Sequence, residues 1–283
     1  EEYWTITADY GDNFNASLSK YKGEDIRITT AEGADAIENR LSAGKFVVET
    51  VKTGKRKPKP YAPFTTSSLQ QDASIKLNFQ TKKTMQIAQQ LYEGIEVKGI
   101  GTRGLITYLR TDSVRISSAA KEAASEFITN KFGKEYSSNN SFSNKNKDIQ
   151  DAHEAIRPTD VNLEPEAIRD SLTSDQFKLY TLVWNRFVAS QMAAAEFDTV
   201  TVIIDNNGYE FRSSGSRLVF DGWRRVYPIA SEKDSYVPEL KKGDELKCIE
   251  IVKEQKFTQP PARYTEAGLV KEMEEKNIGR PST

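Results

Sequence analysis

The strongest candidate chemistry lies in Gly99-Ile100-Gly101-Thr102-Arg103-Gly104-Leu105-Ile106-Thr107-Tyr108-Leu109-Arg110-Thr111-Asp112-Ser113. Tyr108 and Arg110 are two residues apart, so on a strand they project from one face. A phenol beside a guanidinium is the pairing that phosphoryl transfer needs. Arginine stabilises charge on the non-bridging oxygens, and a tyrosine hydroxyl attacks phosphorus to form a covalent intermediate. Lys98 and Arg103 flank the apolar run leading to Tyr108, which reads as a short strand. Gly99, Gly101 and Gly104 permit close backbone approach. The chain has 12 tyrosines, so this pair alone is weak support for catalysis. The glycine spacing is neither a dinucleotide fingerprint nor a P-loop, because no glycine opens a helix suitably and the Lys-Ser/Thr pair is absent.

Three other regions carry polar chemistry. Asp151-Ala152-His153-Glu154-Ala155-Ile156-Arg157-Pro158-Thr159-Asp160 holds the single histidine. His153 can donate to a phosphate or relay a proton near neutral pH; a surface or capping histidine is the plainer reading. Thr65, Thr66, Ser67 and Ser68 precede Gln70 and Gln71. They suit phosphate and sugar contacts, or the N-terminus of a helix. Arg263 and Arg280, each with hydroxyl neighbours, can hold a backbone phosphate.

The elements that must position these residues follow from periodicity. Residues 1–60 read as strands around one helix, with alternation at Trp4–Ala8 and a strand at Lys45–Val51. The helix, Ala31–Ala43, carries Ala34, Ile37 and Leu41 and ends at Gly44. Lys55–Pro60 is basic, broken by prolines, and reads as a connector. Helices are expected at Lys82–Glu93, Ser117–Phe132 and Ser174–Ala195, the last with Phe177, Tyr180, Trp184, Phe187 and Val188 on a broad apolar face. Lys134–Gln150 is rich in Ser, Asn and Lys and reads as a flexible surface loop. Strands return at Thr199–Ile204, then a turn at Asn206-Asn207-Gly208, then Tyr209–Arg212 and Leu246–Glu254. A fresh helix begins near 265. The fold class expected is therefore α+β and multidomain: a β-rich domain interrupted by a helical insertion.

Composition narrows the function. The 283 residues hold 40 Lys+Arg against 41 Asp+Glu, for a net charge of −1, which excludes a uniformly basic coat but not a local patch. One cysteine and one histidine exclude internal disulfides, thiolate metal sites and poly-histidine centres. No apolar run of about 18 residues is present, so no membrane helix is expected. A reducing, cytoplasmic setting fits best. The chain opens without methionine or a signal peptide and reads as an internal piece of a longer protein.

Taken in order, these segments resemble type IA DNA topoisomerases, within them the bacterial topoisomerase I branch. Gly104–Ser113 resembles the family's active-site tyrosine motif, and His153–Thr159 its histidine motif. Phe64–Ser74, Pro260–Glu266 and Gly279–Thr283 resemble three further family segments. Leu109 follows the tyrosine where the topoisomerase III branch usually has proline.

The resemblance implies that Tyr108 is the nucleophile, Arg110 its phosphate-binding partner, and His153 a hydrogen-bonding group around the scissile phosphate. It places Asp112, Arg157, Arg263, Arg280, Ser282 and Thr283 at the DNA. The implied reaction is an isomerase reaction that relaxes negatively supercoiled DNA. A single strand is cut through a 5′-phosphotyrosine, another strand passes, and the free 3′-hydroxyl religates, without a nucleotide cofactor. The implied architecture is part of a toroid. Residues 1–64 and 196–264 form a discontinuous β-rich arch, 65–195 a helical tyrosine-bearing domain, and 265–283 the start of a helical base with the single-strand groove.

The family's Toprim domain, with its Mg²⁺ ligands and general-acid glutamate, has no counterpart motif here. The Mg²⁺ of the full-length enzyme is therefore expected outside this chain, no cofactor within it, and no relaxation by this chain alone. Expected partners are single-stranded and negatively supercoiled DNA, the Toprim domain and the remaining base domains, with no membrane and a bacterial, nucleoid-associated cytoplasmic location. Tyrosine recombinases fit poorly, since their tyrosine follows the histidine and arginine, whereas Tyr108 precedes His153. Type IIA breakage domains fit poorly too, for want of a helix-turn-helix around the tyrosine. The reading from another class is a non-catalytic single-stranded-DNA-binding module, with affinity that falls with salt.

Overall fold

The computed structural model describes residues 1–143, 153–229, 235–276 and 278. Along the chain run β1 (Glu2–Asp9), β2 (Asn15–Tyr21), β3 (Glu24–Asp25), α1 (Ala31–Ser42) and β4 (Phe46–Arg56). Then come α2 (Thr66–Leu77), α3 (Thr81–Glu93), β5 (Ile95–Val97), β6 (Gly101–Arg103), α4 (Ser118–Phe132) and α5 (Ser174–Ser190). β7 (Glu196–Asn206), β8 (Tyr209–Phe220), β9 (Glu245–Leu246), β10 (Glu250–Phe257) and α6 (Glu266–Glu275) follow. The chain divides into two compact units. One takes 1–57, 196–220 and 230–262; the other takes 58–195, 221–229 and 263–283.

The first unit is one antiparallel sheet in the order β10-β1-β2-β8-β7-β4-β9, with β3 beside β2. The turn between β7 and β8 places Asn207 and Gly208 at φ 54° and 82°, the left-handed pair that matches strand twist in a two-residue hairpin. The Asp205 carboxylate accepts from the Gly208 N–H at 3.1 Å, which fixes that turn. β7 and β8 pair from Asn206↔Tyr209 to Glu196↔Phe220, well beyond the strands read from alternation alone. β4 likewise runs on through Arg56, so Lys55 and Arg56 are strand residues rather than connector, paired with Asp198 and Phe197. α1 starts at Thr30, whose side chain accepts from the Gly33 N–H. Its buried Ala34, Ile37 and Leu41 join Ile6, Phe46, Val48, Ile204 and Phe211 in one core.

The second unit is helical. α5 is its spine: Tyr180, Val183, Trp184, Phe187 and Val188 are buried, and the Thr173–Gln176 capping box closes its N-terminus. The polar ends of its aromatics are satisfied, Tyr180 donating to the Leu163 carbonyl at 2.7 Å and Trp184 to that of Val161 at 2.9 Å.

This unit's limits differ from the sequence expectation. Residues 58–64 belong to it, because Trp223 Nε1 donates to the Pro58 carbonyl at 2.9 Å and packs edge-on to Tyr61. α6 clusters with it as well. Ser67 donates to Glu274 at 2.6 Å, and the Thr81 N–H donates to Glu266 at 2.8 Å. The segment read as a flexible loop begins with a 3₁₀ turn, Lys134–Tyr136, whose buried Tyr136 donates to Asp221 at 2.7 Å. Residues 144–150 of that segment lie outside the described residues.

Candidate active site

Within the helical unit three short segments meet: 64–66 at the start of α2, 105–115, and 154–159. The middle one is not the expected strand. Ile106 makes a single antiparallel bridge with Pro158, and the ladder stops there because the Leu105 N–H turns to the Leu91 carbonyl and the Arg157 N–H to the Thr107 hydroxyl. Its apolar residues are nonetheless core, with Leu105, Ile106 and Leu109 at most 1% exposed. A second bridge pairs Phe64 with Ile156. The Thr159 N–H donates to the Leu105 carbonyl at 3.0 Å and the Leu105 N–H to that of Leu91 at 2.7 Å, so α3 is tied in as well. Gly104 is required at the crossing. A Cβ there would stand 2.6 Å from the Tyr92 carbonyl oxygen.

Against that buried frame Tyr108 faces outward, 36% exposed. Its ring lies 4.9 Å from the His153 ring, tilted by 43°, and 5.5 Å edge-on from Tyr92. The nucleophile and histidine proposed from sequence, 45 residues apart in the chain, are therefore in contact. Arg110 is exposed and has no hydrogen-bond or ion-pair partner among the described residues, which leaves its guanidinium available to an anion. Asp112 is half-buried on the same segment.

Arg157 is placed differently. Its Nε and Nη2 donate to Glu154 Oε2 at 2.8 and 2.6 Å, and Nη1 donates to the Pro158 carbonyl at 2.9 Å. Burial pushes the Glu154 carboxyl up, but hydrogen bonds from Ser117 and Arg157 outweigh it and hold the group below the usual carboxylate range. Arg157 thus braces the histidine segment, and a phosphate reaches it only if Glu154 yields. Arg263 is fully exposed just before α6. Arg280, Ser282 and Thr283 lie outside the described residues.

The four hydroxyls at 65–68 are engaged within the protein. Thr65 and Ser68 form the capping box of α2, Ser67 donates to Glu274, and Thr66 is buried against the tyrosine segment. Behind α2 lies a polar cluster. Arg186 donates to the Ala62 carbonyl at 2.6 Å and to Asp72 at 3.3 Å, and its guanidinium packs 4.7 Å from the Tyr61 and Phe64 ring centres. Tyr227 also donates to Asp72. Burial pushes the Tyr227 hydroxyl well above the ordinary phenol range, so it stays protonated and able to donate. Sequence reading missed this cluster, Tyr92 and Thr66's role, because none of them shows in a local motif.

No group of three or more His, Cys, Asp and Glu side chains placed to hold a metal ion exists among the described residues. No helix among them is long and apolar enough to cross a membrane.

Comparison with known proteins gives two findings. Residues 1–283 match the family described as DNA topoisomerase. The structure is similar to that of full-length topoisomerase I from Thermotoga maritima, with a TM-score of 0.85 and 40% identity, over 100% of this chain and 45% of that one. The chain spans less than half the length of that relative.

Proposed function

The chain belongs to the bacterial DNA topoisomerase family, type IA, and from that premise we propose that Tyr108 is the nucleophile of a transient single-strand break in DNA. The observation that carries this reading is the presentation of Tyr108. Tyr108 stands exposed between the buried Ile106 and Leu109, in ring contact with His153 and two residues before an exposed Arg110 that pairs with no described residue.

In the proposed step the Tyr108 Oη–phosphorus bond forms as the bond from phosphorus to the 3′-oxygen breaks. The phenol gives up its proton and the 3′-oxygen takes one up. The products are a 5′-phosphotyrosine and a free 3′-hydroxyl, and the reverse step religates the strand. One phosphate ester replaces another, so no nucleotide is consumed. Arg110 holds the non-bridging oxygens, whose charge grows in the transition state. His153 donates a hydrogen bond near the same phosphate and limits the rotation of the tyrosine ring by packing on it. The described residues offer no group of three or more His, Cys, Asp and Glu side chains to hold Mg²⁺.

Asp112, Arg157, Arg263, Arg280, Ser282 and Thr283 are proposed to face the DNA strand. The sheet unit is proposed as the arch of a strand-passing enzyme acting on negatively supercoiled DNA in the bacterial cytoplasm, and the helical unit as the bearer of the tyrosine. The 283-residue chain alone is expected not to relax a supercoiled plasmid.

The test uses the full-length protein, Mg²⁺ and a 3′-labelled single-stranded oligonucleotide. A denaturation-resistant adduct is expected, and Tyr108→Phe abolishes it. An adduct that survives that substitution moves the nucleophile elsewhere. An oligonucleotide bound by the unsubstituted protein but never linked leaves a binding module.

A further inference from the structure

Two threonines hold the backbone on either side of the reactive tyrosine in the same way. Thr66, fully buried at the first turn of α2, donates its hydroxyl to the Leu109 carbonyl at 2.7 Å and accepts from the Thr111 N–H at 2.9 Å. Those two groups bracket Arg110. The Thr66 N–H also donates to the Thr111 carbonyl at 2.9 Å, so the bracket is tied to helix backbone as well as side chain. Thr107, the residue before Tyr108, donates its hydroxyl to the Ala155 carbonyl at 2.7 Å and accepts from the Arg157 N–H at 3.0 Å. Its own N–H donates to the Arg157 carbonyl at 2.9 Å.

In each case one hydroxyl gives its proton to one peptide and receives from the next but one, so a short stretch of non-repetitive backbone is fixed at both ends. Neither stretch has sheet or helix ladders to hold it. The Ile106–Pro158 bridge is isolated, the Arg157 N–H that would extend it going to the Thr107 hydroxyl, and the residues from 107 to 116 form no regular element. The hydroxyls stand in for the missing ladder. A valine in either place keeps shape and volume but leaves one buried carbonyl and one buried N–H without a partner.

We propose that Thr66 and Thr107 are positioning residues for strand cleavage: Thr66 sets where the Arg110 guanidinium meets the phosphate, and Thr107 sets the distance between Tyr108 and His153. This rests on the assignment of Tyr108 as nucleophile. Neither threonine touches DNA in this account; both act through the residues they hold. In-line attack tolerates little displacement, and a shift of about 1 Å at a reacting group costs about a hundredfold in rate.

The test compares Thr66→Val, Thr66→Ser, Thr107→Val and Thr107→Ser with the unsubstituted full-length protein. It reads the single-turnover cleavage rate constant on a labelled single-stranded oligonucleotide, the dissociation constant for that oligonucleotide, and the thermal midpoint. Each valine variant is expected to slow cleavage about 10- to 100-fold, with affinity changed less than about threefold. Each serine variant, which restores the hydroxyl, is expected within about fivefold of the parent rate. A merely structural role predicts otherwise, namely loss that follows the thermal midpoint and is not rescued by serine.

A valine variant that folds and cleaves at the parent rate overturns the proposal for that threonine. A serine variant as slow as its valine counterpart does so too, and remains informative if valine fails to fold. Tyr108→Phe separates the two levels: if it still forms adduct, the nucleophile assignment has failed; if it forms none while the valine variants cleave normally, only the positioning role has.

Discussion

Arg186 ties α5 to Ala62 and Asp72, so its loss should cost the helical unit stability. Consider Arg186→Met, which keeps the apolar stem and removes the guanidinium. The charge-assisted bond to the Ala62 carbonyl at 2.6 Å is lost, at about 2 kcal/mol. Asp72 loses one cation at 3.3 Å but keeps the Tyr227 hydroxyl and Lys76 at 3.5 Å, so that side costs about 1 kcal/mol rather than the several expected of a stranded buried charge. Packing on Tyr61 and Phe64 contributes about 1 kcal/mol more, part of which methionine recovers. The expected loss is about 3 kcal/mol, or a fall in midpoint of about 6–12 °C for a unit of this size. Urea unfolding followed by the buried Trp184 and Trp223 reads it. Asp72→Asn alone should also destabilise, and the double variant should be milder than the sum by about 1–2 kcal/mol, since the two groups share one bond. Strict additivity, or a loss under about 1 kcal/mol for Arg186→Met, would refute the view that this cluster anchors α2 and Phe64 behind the tyrosine segment.

Other perturbations follow from the same geometry. Glu154→Gln should destabilise by about 1–2 kcal/mol at neutral pH, because it weakens the bond to a half-buried Arg157. Glu154's folded pKa lies below its usual value, so its contribution is complete above that value and is lost as pH falls below about 4. Thermal midpoints of parent and variant should therefore converge on acidification; a gap that stays constant with pH contradicts the assignment. Gly104→Ala forces a Cβ into the Tyr92 carbonyl four residues before Tyr108 and should lower cleavage at least about tenfold as well as stability, while parent-level cleavage would show the crossing to be soft. Gly44→Ala directs a methyl into the buried Asn206 side chain, which also donates to the Leu41 carbonyl at 3.0 Å. It should destabilise the sheet unit by about 2 kcal/mol in urea titration and leave cleavage by folded protein unchanged.

The parts of the fold legible in the sequence were those with strong local signals. α1, α3 and α4 lie within a residue or so of their apolar periodicity and caps, and Asn207-Gly208 marks its hairpin because only left-handed residues close it. Strand length was less legible. β7, β8 and β4 continue through polar stretches such as Thr53–Arg56, where register with a partner rather than burial keeps the backbone extended. β2 was not read at all, since Asn15–Tyr21 has a single fully buried side chain. The tyrosine segment reads as strand by composition, but the bonds that would extend its bridge go to the Leu91 carbonyl and the Thr107 hydroxyl, and neither long-range diversion leaves a local signal.

At the site itself, the family resemblance singles out Tyr108, Arg110 and His153 where residue types alone are weak support, and the structure brings the Tyr108 and His153 rings together. The frame behind them was illegible. Thr66, Thr107, Asp72 and Arg186 work through long-range hydrogen bonds whose partners lie 41 to 155 residues away. The motif also gives no sign that the Arg157 guanidinium is held by Glu154 three residues earlier.

The central claim is a covalent bond between Tyr108 and a DNA 5′-phosphate. Its most direct test traps the full-length protein on a single-stranded oligonucleotide, digests the DNA and protein, and sequences the modified peptide by mass spectrometry. The expected product is a nucleotide joined through its 5′-phosphate to the Tyr108 oxygen, with a free 3′-hydroxyl on the released strand. A modification on any other residue, or attachment through a 3′-phosphate, would contradict it.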